Sequence, residues 1–269
     1  MDTVQQNKER ICKEQRFLIS QRYKRITKAV NVEFWGIDNE TAHSRYVGSY
    51  GRGTAINTSD IDILVELPRD VYEQHDAHKG NGQSRLLQTV RNAILQTYPR
   101  SNVHADGQVV VIDFSDGMKF EILPAFKQLD WFGTWNGKYD YPDTNMGGNW
   151  RSTDPKAEQE AMKELNRTSN GLLYDTCKHV REIRDSYYSN HHLSGIVIDS
   201  FVYHNIGNWH WIKEGEERSN NPVGTYEKVL TRACPNSSFH LTAPGSGDSV
   251  DTKDSVDALY RVLNYMSKE

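Results

Sequence analysis

Asp60 and Asp62 stand one residue apart at the head of an apolar run, Ile61 to Val65, that Pro68 closes. Side chains alternate faces along a strand, so the two carboxylates share one face while Ile61, Ile63 and Val65 take the other. Two carboxylates a few ångströms apart repel, and both stay ionised only beside a cation. Oxygen-only ligands suit a hard ion such as Mg²⁺, completed by phosphates and water. On its own the pair reads better as a turn cap, Asp60, and a surface acid, Asp62, than as a metal site. The turn at Gly48-Ser49, just upstream, changes that balance. Glycine lets the backbone approach a ligand, serine adds a hydroxyl, and the N–H groups opening a following helix attract phosphate. A phosphate cradle with a metal-binding acid pair describes nucleoside triphosphate chemistry. The expected reaction is in-line attack of a hydroxyl on the α-phosphorus with loss of pyrophosphate, served by two metals about 4 Å apart.

A two-metal site needs a third acid. In MKFEILPAF, Glu121 faces away from Phe120 and Ile122, and a lone acid in such a setting is costly without a partner. Asp113, near the end of the preceding strand, is the rival. Asp116 suits the turn between the strands.

These residues need elements to hold them. Ile11, Leu18, Ile19, Tyr23, Ile26 and Val30 fall at helical spacing and predict a helix over 3–30. A short helix follows Gly48, then a strand over 60–67. KGNGQS, 79–84, reads as a loop with Ser84 as helix cap, and a helix then runs to Tyr98, where Pro99 stops it. QVVVIDF and MKFEILPAF flank Ser115-Asp116-Gly117 as a β-hairpin. The stretch 130–155, rich in Gly, Pro, Asn and aromatics, reads as an ordered loop whose rings pack locally or stack on a base. From Pro155 the pattern is helical: 155–167, 171–188, 194–211 and 253–266, with a polar connector, TRACPNSSFHLTAPGSGDSVD, before the last. Lys178, Arg181 and Arg184 recur every three residues along one stripe of the 171–188 helix, which the general rule would leave solvated. His191-His192 lies in a turn with no partner at ligand spacing.

The 269 residues suffice for one large domain or two lobes. No apolar run approaches the roughly 18 residues of a membrane span, and the charged, polar N-terminus is unlike a secretory signal. Three scattered cysteines exclude a disulfide framework and suit a reducing cytoplasm. A net charge of −4 gives no overall pull on a long polyanion.

G-S-Y-G-R-G-T-x₄-S-D-I-D, a strand, and then F-E-I-L-P-A-F resemble the polymerase-β-type nucleotidyltransferases. Within them the chain is most similar to the bacterial cGAS-like enzymes (CD-NTases) of anti-phage signalling. RYKRITKAVNVEFWG, PDTNMGGNWRSTDPKAEQEA and CKHVREIRD followed by LSGIVIDSFVYHNI extend the likeness over about 15–210. The resemblance implies an α/β (α+β) fold: a polymerase-β-like nucleotidyltransferase lobe with a mixed sheet, 1–154, and a helical C-terminal lobe, 155–269, joined by a long N-terminal spine helix around a nucleotide cleft. It implies that Gly48 and Ser49 hold the donor triphosphate and that Asp60 and Asp62 bind two Mg²⁺ or Mn²⁺ ions. Glu121 then takes the third acid position, with Asp113 kept open because many relatives carry the shorter aspartate there. The resemblance also implies that Lys178 and Arg181 face the nucleotide cleft and meet phosphates there. Tyr50 and Arg52 match the motif as supports or as ligand contacts.

The implied function is a cytoplasmic enzyme that joins nucleoside triphosphates into a cyclic di- or trinucleotide second messenger. Its implied partners are the triphosphates and a nucleotide-gated effector, with an activating protein, peptide or RNA left open. No long double-stranded DNA and no membrane are expected as partners. The alternatives are transfer to another acceptor (protein, tRNA or small molecule) and a nucleotide-binding scaffold that has lost catalysis. The acidic balance argues against tRNA.

Overall fold

The computed structural model describes residues 2–58, 60–78, 80–217 and 220–268, without the side chain of Met146. The chain divides into two compact units. A sheet unit comprises Cys12–Gly51 and Asp60–Pro155, and a helical unit comprises Met1–Ile11, Arg52–Ser59 and Lys156–Glu269. The boundary near 155 lies where the composition turns helical. The assignment of 1–11 and 52–59 to the helical unit departs from a simple division at 154, and its cause is buried polar pairing that periodicity does not report.

In the sheet unit, α1 (Lys13–Trp35) buries Ile19, Tyr23, Ile26 and Val30, the expected apolar stripe. The helix starts ten residues later than the pattern over 3–30 suggests and runs on to Trp35, where Gly36 ends it at φ 64°. Leu18, counted on the stripe, is instead 39% exposed. A short strand β1 (Ser44–Tyr46) and a four-residue helix α2 (Gly48–Gly51) lead to β2 (Ile61–Glu66). Two helices follow, α3 (Arg69–Asp76) and α4 (Gly82–Thr97). Ser84 lies inside α4, so it does not cap it; Asn81 occupies the cap position without a side-chain bond. Lys79 of that segment, and Ser59 of the acid motif, lie outside the described residues.

The expected hairpin is present. After β3 (Asn102–Asp106), β4 (Val109–Asp113) pairs antiparallel with β5 (Lys119–Leu129), and Asp116 serves the turn by accepting from the Met118 N–H at 3.2 Å. The sheet order is β1-β2-β5-β4-β3, with β2 and β5 parallel and the other neighbours antiparallel. The far half of β5 pairs with β6 (Trp135–Asp143), which pairs with β7 (Asn149–Thr153). The stretch 130–155 is thus mostly strand rather than loop. Most of its tyrosines and tryptophans pack: Tyr139 is buried beside Val47, Leu64 and Ala125, and Trp150 lies against Tyr72 at 4.6 Å between ring centres. Trp131 and Phe132, at the β5–β6 turn, stay almost fully exposed.

The helical unit contains α5 (Pro155–Thr168), α6 (Leu172–Tyr187), α7 (Gly195–Asn205), α8 (Thr225–Ala233), a small β8–β9 ribbon (Leu241–Thr242 and Ser249–Val250) and α9 (Val256–Ser267). Leu173, Val180, Val197, Phe201, Leu230, Leu259 and Leu263 form its core. The polar connector contains the ribbon, and its first residues, Thr231 to Ala233, are the end of α8. Residues 2–11 pack here too: Val4 is buried and its N–H donates to Glu227 Oε1 at 2.9 Å, while Arg10 pairs with Glu182 at 3.2 Å. Among the described residues no helix is long and apolar enough to cross a membrane.

Candidate active site

β2 and β5 place the acids. The parallel register sets Asp62 opposite Glu121, with Ile61 opposite Phe120 and Ile63 opposite Ile122. The apolar partners Ile61, Ile63, Phe120 and Ile122 are all at most 2% exposed, so burial of that face fixes the register and turns both carboxylates to the other. Of the three acids read from the sequence, Asp62 and Glu121 lie opposite each other on one sheet face, and Asp60 immediately precedes β2.

Asp113 is near but differently engaged. It lies opposite Lys119 across β4–β5, and its Oδ2 accepts from Asn102 Nδ2 at 2.8 Å. His104 Nδ1 lies 3.9 Å from the same oxygen. Of the two candidates for the third acid, Glu121 is the one in register with Asp62.

Lys119 escaped the sequence reading. Its ammonium lies 2.6 Å from Glu121 Oε1 and 3.4 Å from Asp60 Oδ2. The signal was in the alternation of K-F-E, which puts Lys119 and Glu121 on one face of β5. Asp60 is pushed up from the ordinary carboxylate value, first by burial and further by the Glu121 and Asp113 charges, with Lys119 pulling the other way. Lys119 is raised, chiefly by its hydrogen bond to Glu121. The Asp60 carboxylate is thus short of positive charge, which is the electrostatic setting in which a divalent cation is favoured. Among the described residues no three His, Cys, Asp or Glu side chains converge on one point as they stand. The ammonium occupies the space between two of them. The donor set fits a hard cation in kind, and accommodation requires Lys119 to give way.

Gly48 belongs to the same site. Its backbone sits at φ 56°, and a side chain built there would collide with the Asp62 carboxylate. The Val47 N–H donates to the Asp62 carbonyl at 2.9 Å, tying the start of the turn to β2. Ser49 follows in α2. Tyr50 packs on Tyr46, with ring centres 4.7 Å apart, and Tyr46 stacks on Tyr23 of α1 at 4.2 Å. Packing therefore accounts for Tyr50.

The basic residues expected to meet phosphates lie in the helical unit and part company there. Arg181 is 1% exposed. Its Nη1 donates to Asp199 Oδ1 at 2.7 Å and its Nη2 to the Gly195 carbonyl at 2.9 Å. The expectation of a phosphate-binding Arg181 is corrected: its guanidinium is consumed inside the helical core. Arg52 joins the same network, donating to Asp199 Oδ2 at 2.9 Å and to Glu158 Oε2 at 2.9 Å, and the Thr54 hydroxyl also donates to Asp199. Arg52 is thus a structural member of the motif. Lys178 is half-buried on α6, its ammonium 5.7 Å from the Tyr174 ring centre. Arg184 bonds Asp185 and the Leu193 carbonyl, so the basic stripe is not simply solvated.

The profile of the Second Messenger Oligonucleotide or Dinucleotide Synthetase (SMODS) domain matches residues 4–166, more than half of the chain. The chain belongs to the SMODS family. That membership bears out the kinship with bacterial cGAS-like nucleotidyltransferases expected from the G-S and D-I-D motifs. A probable cyclic nucleotide synthase of Bacillus cereus (strain VD146) is 24% identical over 160 residues, covering 56% of this SMODS chain. The match spans about half of that curated relative, 47% of its length. Among solved structures, the Elizabethkingia meningoseptica CdnE cyclic dinucleotide synthase with GTP and Apcpp aligns with a TM-score of 0.61 at 16% identity. That alignment covers 97% of this chain and 93% of the CdnE chain. CdnC of E. coli MS115-1, in its complex with HORMA-deltaN, aligns with a TM-score of 0.53 at 16% identity, covering 83% of this chain and 65% of that one. The fold is that of these polymerase-β-like enzymes: a mixed sheet carrying the acids, with a helical unit.

Proposed function

We propose that this SMODS chain is a metal-dependent nucleotidyltransferase that joins nucleoside triphosphates into a cyclic di- or trinucleotide second messenger, releasing pyrophosphate. The observation that carries the reading is the register of Asp62 against Glu121, with Gly48 pressed on the Asp62 carboxylate. It brings Asp62 and Glu121 together on adjacent strands beside a phosphate-type turn, with Asp60 immediately before β2. The synthase relatives support the choice of product class, and the GTP and Apcpp bound in the CdnE neighbour support triphosphates as substrates.

In this reading Asp60, Asp62 and Glu121 would hold two Mg²⁺ or Mn²⁺ ions, which when bound neutralise phosphate charge and make the acceptor hydroxyl more acidic. Gly48, lacking a side chain, lets the turn close against the Asp62 carboxylate, and Ser49 would supply a hydroxyl and a backbone N–H to the triphosphate. The rigid β2–β5 pairing aligns acceptor hydroxyl and α-phosphorus, the kind of positioning that carries much of phosphoryl-transfer catalysis. Lys178 is retained as a contact to the triphosphate.

The enzyme is proposed to act in the cytoplasm in anti-phage signalling, upstream of a nucleotide-gated effector. An activating protein is a reasonable partner class, since the CdnC neighbour is seen in complex with HORMA-deltaN. Incubation with each labelled ribonucleoside triphosphate in turn, Mg²⁺ or Mn²⁺, and phosphatase treatment tests the reading. A phosphatase-resistant product carrying two or three nucleotides is expected. Label appearing on an added protein, tRNA or small molecule would move the protein to the other acceptor class.

A further inference from the structure

We infer that Lys119 is a built-in counter-ion that positions Asp60 and Glu121 before metal arrives and sets how much metal the site needs. The inference rests on the metal-site reading of Asp60, Asp62 and Glu121. Lys119 and Glu121 alternate on β5, and the strand register puts Asp113 opposite Lys119 and Asp62 opposite Glu121. The ammonium is bonded to Glu121 at 2.6 Å and in an ion pair with Asp60 at 3.4 Å, while Asp62 and Asp113 lie at neighbouring register positions. Without it the carboxylates would repel each other across the sheet face. With it Asp60 and Glu121 share a single positive charge.

A divalent ion between the same oxygens would sit beside that ammonium, and like charges at such range disfavour each other. Binding of bare metal thus carries the cost of displacing Lys119. Metal arriving with a triphosphate brings negative charge that offsets the ammonium as well. The side chain thereby biases the site toward metal delivered with nucleotide over metal alone.

The test uses the full chain and measures Mn²⁺ binding directly, by the loss of the free-ion magnetic resonance signal, with thermal melting alongside. Lys119→Met is expected to bind bare Mn²⁺ about three- to fivefold more tightly, the scale of one part-exposed ion pair. It is expected to melt lower than wild type without metal and to gain more on adding Mg²⁺. Lys119→Arg, which keeps the charge, should stay near wild type in both. The gain should shrink when Mn²⁺ is added with a non-hydrolysable triphosphate. Unchanged or weaker Mn²⁺ binding by Lys119→Met overturns the inference, because a purely structural lysine would lower the melting temperature without tightening metal. Asp60→Ala with Asp62→Ala separates the two levels. If that double variant binds Mn²⁺ like wild type, the metal-site reading itself is overturned; if it loses binding while Lys119→Met shows no gain, only the role of Lys119 fails.

Discussion

Gly48 and the Asp62 carboxylate occupy adjoining space so closely that position 48 admits no side chain. This contact ties the phosphate-type turn to the acid strand more firmly than their separation along the chain suggests. Gly48→Ala adds a methyl group that collides with Asp62, and it strains a φ of 56° by roughly 1–2 kcal/mol. Displacing a reacting group by about 1 Å costs on the order of 100-fold in rate. Pyrophosphate release should fall by about that factor or more while circular dichroism shows the fold kept.

The β2–β5 register supports Glu121 as the proposed third acid. Glu121→Gln should reduce turnover to background, because Glu121 faces Asp62 across β2–β5. Asp113→Asn should leave most activity, since Asp113 is already held by Asn102. Steady-state rates of the two variants side by side check this; the opposite ranking would assign the position to Asp113.

Arg181 and Lys178, three residues apart on α6, should behave as different kinds of residue. Asp199 is fully buried between Arg181 and Arg52, and removing one partner of such a pair typically costs about 3–5 kcal/mol. Arg181→Ala and Asp199→Asn should therefore lower the urea midpoint sharply. Lys178→Ala should change stability by less than about 1 kcal/mol and show its effect in the KM for triphosphate.

The same network fixes a pH dependence. Burial alone would raise the Asp199 carboxyl, but the Arg181 and Arg52 guanidiniums outweigh it and hold the group below its ordinary value. A carboxyl lowered on folding contributes stability that is fully present above the unfolded value near ~3.9 and is lost as pH falls through the folded value. Acid titration of the wild type should show this loss below about pH 4. Asp199→Asn, less stable throughout, should lack that component, which urea midpoints measured across the acid range would reveal.

Much of the site was legible because strand alternation is a strong local signal. Asp62 and Glu121 each stand between residues whose burial dictates their face. What escaped notice depends on pairing across the chain. Lys119 reads as an ordinary surface lysine until β2 and β4 are laid beside it. Arg181 looks like part of a basic stripe, and nothing local marks Asp199, 18 residues later, as its buried partner. Strands β6 and β7 were obscured by Gly137, Pro142 and Gly148, which mimic loop composition, whereas the pairing of Tyr139 with Thr153 and of Asp143 with Asn149 decides the matter. The late start of α1 has a similar origin. Residues 2–11 carry helical-looking spacing, yet Val4 and Arg10 find buried partners in the helical unit instead.

The central claim is that Asp60, Asp62 and Glu121 together form a metal-dependent nucleotidyl-transfer site. Its most direct measurement is pyrophosphate release from ribonucleoside triphosphates, with Mg²⁺ or Mn²⁺, by the wild-type chain and by Asp60→Ala with Asp62→Ala. The expected result is metal-dependent release by the wild type and none by the double variant, with both folded by circular dichroism. Equal release from the two proteins, or wild-type release undiminished by a chelator, would contradict it.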